Sequence, residues 1–237
     1  MKKAVCLLTA MVLVSGIFSG CREEDPRTKA AMTIGEAVDI TSEELTGQIK
    51  VENISPYMGI YLEAGDEQKE RVDDVYALKI TNVSEHTILN GDLIYNDGEK
   101  DLNFYFEMLP IGASVYVVEQ NQAAADSDTL TLVNGSINYL EAEMECMDRV
   151  ELQGTKNSTI KIKNLTEEEL SCVWVFYRKA AEDGTLLSGL CYNVITDSIE
   201  AEGETEVEAE SWMDSCVIVN ALALDDPSDR EEISQQD

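Results

Sequence analysis

Short stretches of the chain alternate between apolar and polar residues, and this pattern predicts β-strands. Successive side chains of a strand point to opposite faces, so a half-buried strand has an apolar residue at every second position. Tyr76, Leu78 and Ile80 follow this rule. The longest example has its apolar positions at Leu102, Phe104, Phe106 and Met108. The pair Asp97-Gly98 precedes this stretch and is typical of a tight hairpin turn.

One segment of the chain, Leu78–Asp97, occurs a second time as Ile160–Lys179, at a constant offset of 82 residues. The two copies align over twenty positions without a gap. Five residues are identical: Lys79, Ile80, Asn82, Glu85 and Tyr95 return as Lys161, Ile162, Asn164, Glu167 and Tyr177. A tandem repeat of this kind indicates that one β unit was duplicated.

The length and pattern of the strands decide the fold class. Short strands, frequent turn signals and almost no helical periodicity are typical of antiparallel β-sandwiches. A chain of 237 residues is long enough for two such units. We therefore predict an all-β fold with two tandem antiparallel β-sandwich domains, at residues 47–142 and 143–225.

The repeated strand ends in an aromatic residue followed by a turn, Leu93-Ile94-Tyr95-Asn96-Asp97-Gly98. This motif resembles the FxLYD-type and related immunoglobulin-like modules of bacterial surface lipoproteins. The second copy, Val175–Lys179, departs from it because the acidic residue after the tyrosine is missing. The resemblance implies immunoglobulin-like sandwiches over both units, and a fold of this kind by itself carries no catalytic residues.

The N-terminus has the layout of a secretory signal peptide. The basic start Met1-Lys2-Lys3 is followed by the apolar run Ala4–Val14, which is too short to span a membrane as a stable helix. Phe18-Ser19-Gly20-Cys21 resembles a bacterial lipobox, with Phe18 in place of the usual leucine. The resemblance implies removal of residues 1–20, lipidation of Cys21 and a membrane anchor on the extracytoplasmic side. Ordinary cleavage nearby, giving a secreted protein, is the alternative.

Two segments lack a hydrophobic pattern. We predict that residues 21–46 form a flexible tether and that residues 226–237 form a disordered acidic tail. The formal net charge of −30 repels phosphate backbones, so the sequence predicts no binding to nucleic acid.

The sequence contains few residues suited to catalysis. His86 is the single histidine, and no HExxH, GxSxG or phosphate-binding loop occurs. Ser158 and Lys161 match S-x-x-K, but residues three apart on a strand point to opposite faces. We therefore expect no enzymatic activity, no cofactor and no metal. The acidic loops lack the ligand pattern of an EF-hand, so the sequence leaves their affinity for Ca²⁺ open.

Four cysteines remain after Cys6 and Cys21, and all belong to the second unit or its start. Outside the membrane they can form disulfides. We predict the pair Cys172–Cys191, because these residues lie on opposite arms of one hairpin. We also predict the pair Cys146–Cys216, because these residues lie on the first and last strands of the unit. Buried thiols are the alternative, since cysteine also serves as a small core residue.

The two copies differ on one face of the repeated strand. Trp174 and Phe176 lie on the face opposite to Val173, Val175 and Tyr177, where a two-layer sandwich meets solvent unless something covers it. Cover by the neighbouring unit or by the loop 178–188 is the simpler interpretation. The sharper hypothesis is a binding patch at Trp174 and Phe176.

These observations favour a non-catalytic lipoprotein of the cell envelope that displays two β-sandwich modules for binding or for a structural role. Its expected partners are the membrane, through Cys21, and a protein or glycan of the envelope that the sequence does not identify. An envelope hydrolase with an unrecognised site is the alternative class.

Overall fold

A computed structural model describes residues 32–61, 70–127, 129–213 and 215–225. Apart from one 3₁₀ turn at Ala142–Met144, all regular structure in these ranges is β-strand, which confirms the predicted all-β fold. The strands are β1 (Val38–Asp39), β2 (Ile49–Asn53), β3 (Tyr57–Tyr61), β4 (Glu70–Val75), β5 (Ala77–Asn82), β6 (Ile88–Asn96), β7 (Asp101–Leu109), β8 (Ser114–Val118), β9 (Thr131–Tyr139), β10 (Val150–Gly154), β11 (Thr159–Asn164), β12 (Cys172–Lys179), β13 (Leu186–Leu187), β14 (Tyr192–Ile195), β15 (Glu204–Glu208) and β16 (Cys216–Leu224).

Strands β1–β9 form the first half of the fold. One of its sheets has the order β1-β2-β5-β8, and the other has the order β7-β6-β9. The alternating apolar residues of β5, β6 and β7 point between these two sheets and form the largest buried cluster. Leu78, Leu93 and Phe104 are completely buried there. The hairpin of β3 and β4 packs Tyr57 and Val72 on the outer side of the first sheet.

Strands β10–β16, without β13, form the second half and repeat the same strand order. One sheet is β10-β11-β15 and the other is β14-β12-β16. β11 and β12, which contain the second copy of the repeated segment, occupy the central positions that β5 and β6 hold in the first half. Ile160, Val175 and Ala221 lie in the core between the sheets. The separate sheets are consistent with β-sandwich domains, while the immunoglobulin-like class and the domain boundaries remain predictions.

The segment predicted as a tether is described from residue 32 onward. Val38–Asp39 pairs with β2 in an antiparallel register. The Thr41 hydroxyl accepts a hydrogen bond from the main-chain N–H of Val51 at 2.8 Å. Leu45 is 3% exposed and belongs to the core of the first half. Thr33 also forms an antiparallel bridge with Met58, and the N–H of Gly35 donates to the carbonyl of Ile54. The structure thus joins the predicted tether to the fold from Thr33 onward, whereas residues 1–31 and the predicted tail 226–237 lie outside the described residues.

Residues 180–191, here called the crossing segment, belong to the second half in sequence but pair with the first half. Asp183-Gly184 forms the predicted turn, and Gly184 has a φ of 85°. The strand that follows it, β13, then joins the edge of the first half in a parallel register, with Leu186 opposite Val115. The predicted hairpin is therefore interrupted, and its other arm, β14, pairs with β12 only after the crossing segment.

The crossing segment also contacts the other sheet of the first half. The main-chain N–H of Glu107, in the edge strand β7, donates to the carbonyl of Gly189 at 2.9 Å. A Cβ atom at Gly189 would lie 2.0 Å from the carbonyl oxygen of Tyr105, so the close approach requires glycine. The segment therefore covers one edge strand of each sheet, and the described residues from 32 onward belong to one compact unit.

Within the described ranges, no helix has both the length and the apolar character needed to cross a membrane.

Candidate functional site at the contact between the halves

Strand β12 positions Trp174 and Phe176 at the contact between the halves. Its other face places Val173 and Val175 in the core of the second half. Trp174 and Phe176 are 7% and 6% exposed, because the first half covers them. The buried residues of this contact cluster are Leu89, Met108, Leu140, Cys172, Trp174, Phe176, Cys191, Leu222 and Leu224. The outer face of the strand is thus covered by the neighbouring half, and these two residues do not form an exposed patch.

The packing at this contact leaves a cavity of about 140 Å³. Strands of both halves supply its walls. Its lining residues are Leu89, Asn90, Tyr105, Glu107, Met108, Trp174, Phe176 and Asn193. The predicted binding residues Trp174 and Phe176 therefore lie in the wall of a small site that is partly aromatic and partly polar.

Two contacts fix the orientation of the aromatic wall. The ring centroids of Trp174 and Phe176 are 4.5 Å apart, with a 45° angle between the ring planes. The indole Nε1 of Trp174 donates a hydrogen bond of 3.0 Å to Oδ1 of Asn193 on the neighbouring strand β14. Because its one polar atom is already bonded, Trp174 presents apolar ring surface to the cavity.

Glu107 is the acidic residue of this cavity. Its Oε1 accepts a hydrogen bond of 2.6 Å from the main-chain N–H of Cys191, across the contact. Burial raises the pKa of the Glu107 carboxyl. Three smaller effects lower it: the hydrogen bond from Cys191, the nearby charge of Arg178 and a hydrogen bond from Tyr105. A half-buried carboxyl with a raised pKa is a feature often found at functional sites.

Arg178 lies beside Glu107 and is 1% exposed. Its Nη2 donates to the carbonyl oxygen of Glu107 at 2.6 Å and to that of Gly189 at 3.2 Å, and lies 2.7 Å from Sγ of Cys191. Its Nε and Nη1 have no hydrogen-bond partner within the described residues. Arg178 thus joins β12, β7 and the crossing segment, and it places a buried positive charge beside the candidate site.

The four cysteines are buried, and neither predicted disulfide is present in the structure. Tyr192 pairs with Tyr177, so Cys191 lies beside Arg178. Cys172 is six residues away on the same strand, about 20 Å at the rise of a β-strand. Cys146 donates its N–H to the carbonyl of Ala221, five residues or about 16 Å from Cys216. A disulfide requires Cα atoms within about 7 Å, so the strand registers separate both predicted pairs.

Burial changes the chemistry of two of these thiols. It raises the pKa of Cys191 to about 11, against the opposing effect of Arg178. It likewise raises the pKa of Cys146 to about 11. A thiol with such a pKa is almost entirely protonated near neutral pH, and the thiol form is a poor nucleophile.

A second, larger groove of about 890 Å³ opens near the link between the halves. It contains many acidic side chains and one basic residue, Arg149. Its lining residues are Glu141, Glu143, Met144, Arg149, Thr166, Glu167, Glu168, Glu169, Leu170, Ser171, Ala223, Leu224 and Asp225. No group of three or more His, Cys, Asp or Glu side chains in the described part of the chain is arranged to hold a metal ion.

The single histidine is not part of either site. His86 is exposed in the turn after β5, and its ring meets the ring of Tyr139 edge-on, with centroids 5.7 Å apart. Ser158 and Lys161 are likewise outside both sites, in a turn and in β11.

The sequence singled out two residues that line the cavity, Trp174 and Phe176, and did not indicate Tyr105, Glu107, Asn193 or the neighbouring Arg178. A signal existed for Glu107 and Tyr105, which occupy the polar positions of the alternating strand β7. The apolar partners on the same strand point into the core, so the polar positions had to face solvent or a neighbour. Arg178 follows the apolar run of β12 at the position where the first copy has Asn96, and this change from an amide to a guanidinium was the available signal.

Comparison with known proteins adds no further indication: no family model matches the chain, and no curated protein matches it with significance.

Proposed function

We propose that this protein is a non-catalytic lipoprotein of the cell envelope that is anchored through Cys21 and presents its two β-sandwich halves for binding. The observation that carries the binding role is the cavity between the halves, lined by Trp174, Phe176 and Glu107. Binding sites are commonly concave and mostly apolar, with a small number of convergent polar groups. This cavity is concave and brings several polar groups together beside two aromatic residues.

The arrangement of the halves supports a display role. The crossing segment and the contact cluster join the halves, so both halves contribute to one binding surface. Pairing with the fold begins at Thr33, twelve residues after the proposed lipidation site at Cys21. The negative charge of the chain favours projection of the fold away from an anionic bilayer.

The anchor is tested by metabolic labelling with an alkyne-bearing fatty acid in a bacterial host that processes lipoproteins. We expect the wild-type protein to be labelled and to partition with the membrane fraction. Cys21→Ala should remove the label, and the control Cys6→Ala, within the signal peptide, should keep it. An unlabelled wild type, or a labelled Cys21→Ala variant, would contradict the anchor.

The binding role is tested with the full-length protein in a non-ionic detergent. It is immobilised and exposed to cell-wall polymers, host glycans and co-expressed envelope proteins. We expect retention of one of these classes, and a reduction of that retention by Glu107→Gln, which changes the cavity without changing its volume. Retention of none of the three classes would contradict a binding role.

A further inference from the structure

The cavity between the halves differs from an ordinary packing gap because it combines aromatic walls with a carboxylate. From this combination we propose that the cavity binds a small organic cation, a methylated or quaternary ammonium group. The inference rests on the proposed binding role and names the chemical class of the ligand.

The size of the cavity sets the size of the ligand. Its volume is about 140 Å³. An apolar cavity of about 150 Å³ in another protein accommodates benzene, so this cavity has space for a ligand of about six to eight non-hydrogen atoms. A complete sugar ring with its hydroxyl groups is larger than this, whereas a trimethylammonium group with a short polar tail fits.

The aromatic side chains supply the surface that a methylated cation prefers. Trp174, Phe176 and Tyr105 all line the cavity. A cation within about 6 Å of an aromatic ring centroid is attracted by the negative ring face, and tryptophan gives the strongest attraction. The hydrogen bond to Asn193 holds the indole in place before the ligand arrives, so little conformational entropy is lost on binding.

The charge of the cavity favours a cation over an anion. Glu107 is the one acidic residue in its lining, and no basic residue lines it. Arg178 approaches Glu107 through its main-chain carbonyl, and within the described residues no ion pair joins the guanidinium to the carboxylate. The net charge of −30 also attracts cations and repels anions at long range. The carboxylate accepts hydrogen bonds from Cys191 and Tyr105 and lies near the charge of Arg178, but it lines the cavity and is not held in an ion pair with any described residue.

Choline and 3,3-dimethylbutan-1-ol test this inference, because they have the same shape and differ in charge. Each is titrated by isothermal calorimetry into the full-length protein in non-ionic detergent, at fixed ionic strength. We expect choline to bind at least about tenfold more tightly than the alcohol. Equal affinities would overturn the cationic class in favour of a neutral apolar ligand, and the absence of binding by either compound would overturn the site.

Two variants locate the binding. Glu107→Gln keeps the shape of the side chain and should weaken choline binding about tenfold or more, while circular dichroism shows that the fold is retained. Glu141→Gln, in the separate acidic groove, should leave the affinity unchanged. The reverse result would place choline in the groove and overturn the proposal. Retention of envelope material without choline binding would reject this ligand class and leave the proposed function standing.

Discussion

Asn82 and Asn164, at the same position of the two repeated segments, are both completely buried and form the same hydrogen bonds. The Nδ2 of each donates to the carbonyl oxygen four residues later, His86 at 2.8 Å and Glu168 at 2.7 Å. The Oδ1 of each accepts from the main-chain N–H and the hydroxyl of the residue two positions later, at 2.8 to 3.0 Å. The duplication therefore preserves a structural turn as well as a strand.

Replacing either asparagine should destabilise the protein. Asn82→Ala removes the donor to the buried carbonyl of Leu109, and Asn164→Ala removes the donors to Ile199 and Glu200. Since each unsatisfied buried group costs about 1 to 3 kcal/mol, we expect a loss of about 2 to 3 kcal/mol in the free energy of unfolding for each variant. Urea denaturation measures this loss.

The control for this experiment is Asn157→Ala, because Asn157 is exposed. It should change the stability by less than about 0.5 kcal/mol. If Asn82→Ala and Asn157→Ala were equally stable, the buried hydrogen bonds of Asn82 would have no structural role.

Much of the fold could be predicted because the decisive signals are local. The two-residue periodicity of β7 placed Leu102, Phe104 and Phe106 correctly in the core, but Met108 was wrong: it has a φ of 43° and lies in the contact cluster, and Leu109 takes the core position. The predicted hairpin turn at Asp97-Gly98 joins β6 to β7, and Gly98 has a φ of 103°. β1 and β13 were missed, since a strand of two residues has no period and its pairing depends on a partner far away in the sequence.

Gly189 tests whether the crossing segment holds the halves together. In Gly189→Ala the new Cβ would lie 2.0 Å from the carbonyl oxygen of Tyr105. The backbone must move apart, so we expect a loss of about 2 to 3 kcal/mol in stability, as for other overpacked sites. Hydrogen exchange at the Glu107 amide, which donates to Gly189, should become faster.

Gly184→Asn is the matched control in the same segment. No atom lies within 4 Å of a Cβ at this position, and the φ of 85° is one that asparagine tolerates better than other non-glycine residues. It should cost less than about 1 kcal/mol and leave the exchange of Glu107 unchanged. Unchanged exchange in Gly189→Ala as well would show that the crossing segment does not protect β7.

The candidate site was only half predictable. The sequence shows that the second face of β12 needs cover, because Trp174 and Phe176 alternate with core residues. It does not show which element provides the cover, since Leu89 and Met108 come from a different half and no pattern links them to β12. The cavity depends on side chains of four strands, and its volume follows from packing details that a one-dimensional pattern does not contain.

The buried guanidinium of Arg178 should be energetically coupled to Glu107. Arg178→Met removes the donor to the carbonyls of Glu107 and Gly189 and removes the compensating positive charge. We expect a loss of about 3 kcal/mol or more in stability. In a double-mutant cycle with Glu107→Gln, the combined loss should be smaller than the sum by about 0.5 to 3 kcal/mol.

Lys156→Met, at an exposed position in the turn after β10, is the control for loss of a positive charge. It should change stability by less than about 0.5 kcal/mol and show no coupling to Glu107→Gln. Additive losses for Arg178→Met and Glu107→Gln would mean that the two side chains act independently.

The thiols of Cys146 and Cys191 should react slowly in the native protein. Burial limits access, and burial raises the pKa of both thiols to about 11, so little thiolate exists at pH 8. Iodoacetamide followed by mass spectrometry should modify these two residues only after denaturation. Rapid native modification of Cys191 would contradict its position beside Arg178 in a closed contact.

The raised pKa of Glu107 predicts how stability depends on pH. Below 4.5, the usual carboxyl pKa, the residue is protonated in both the folded and the unfolded state and contributes no pH dependence. As the pH rises above 4.5, the unfolded chain loses this proton first. The folded state then binds more protons than the unfolded state, so this residue lowers the stability until the pH passes the raised folded pKa.

The comparison of wild type with Glu107→Gln isolates this contribution. The pKa values of Asp97 and Asp183 are lowered mainly by main-chain hydrogen bonds. Each carboxylate therefore stabilises the fold above pH 3.8 and loses this effect on acidification. This contribution is the same in the wild type and in Glu107→Gln. The groups that face Glu107 are Arg178, Cys191 and Tyr105, and all three are unchanged in the variant. Urea denaturation across this range should show the stability of the variant rising relative to the wild type from pH 4.5 upward and then levelling off. A constant difference would mean that the pKa of Glu107 is unshifted, and a decline would mean that Arg178 and the hydrogen bonds outweigh its burial.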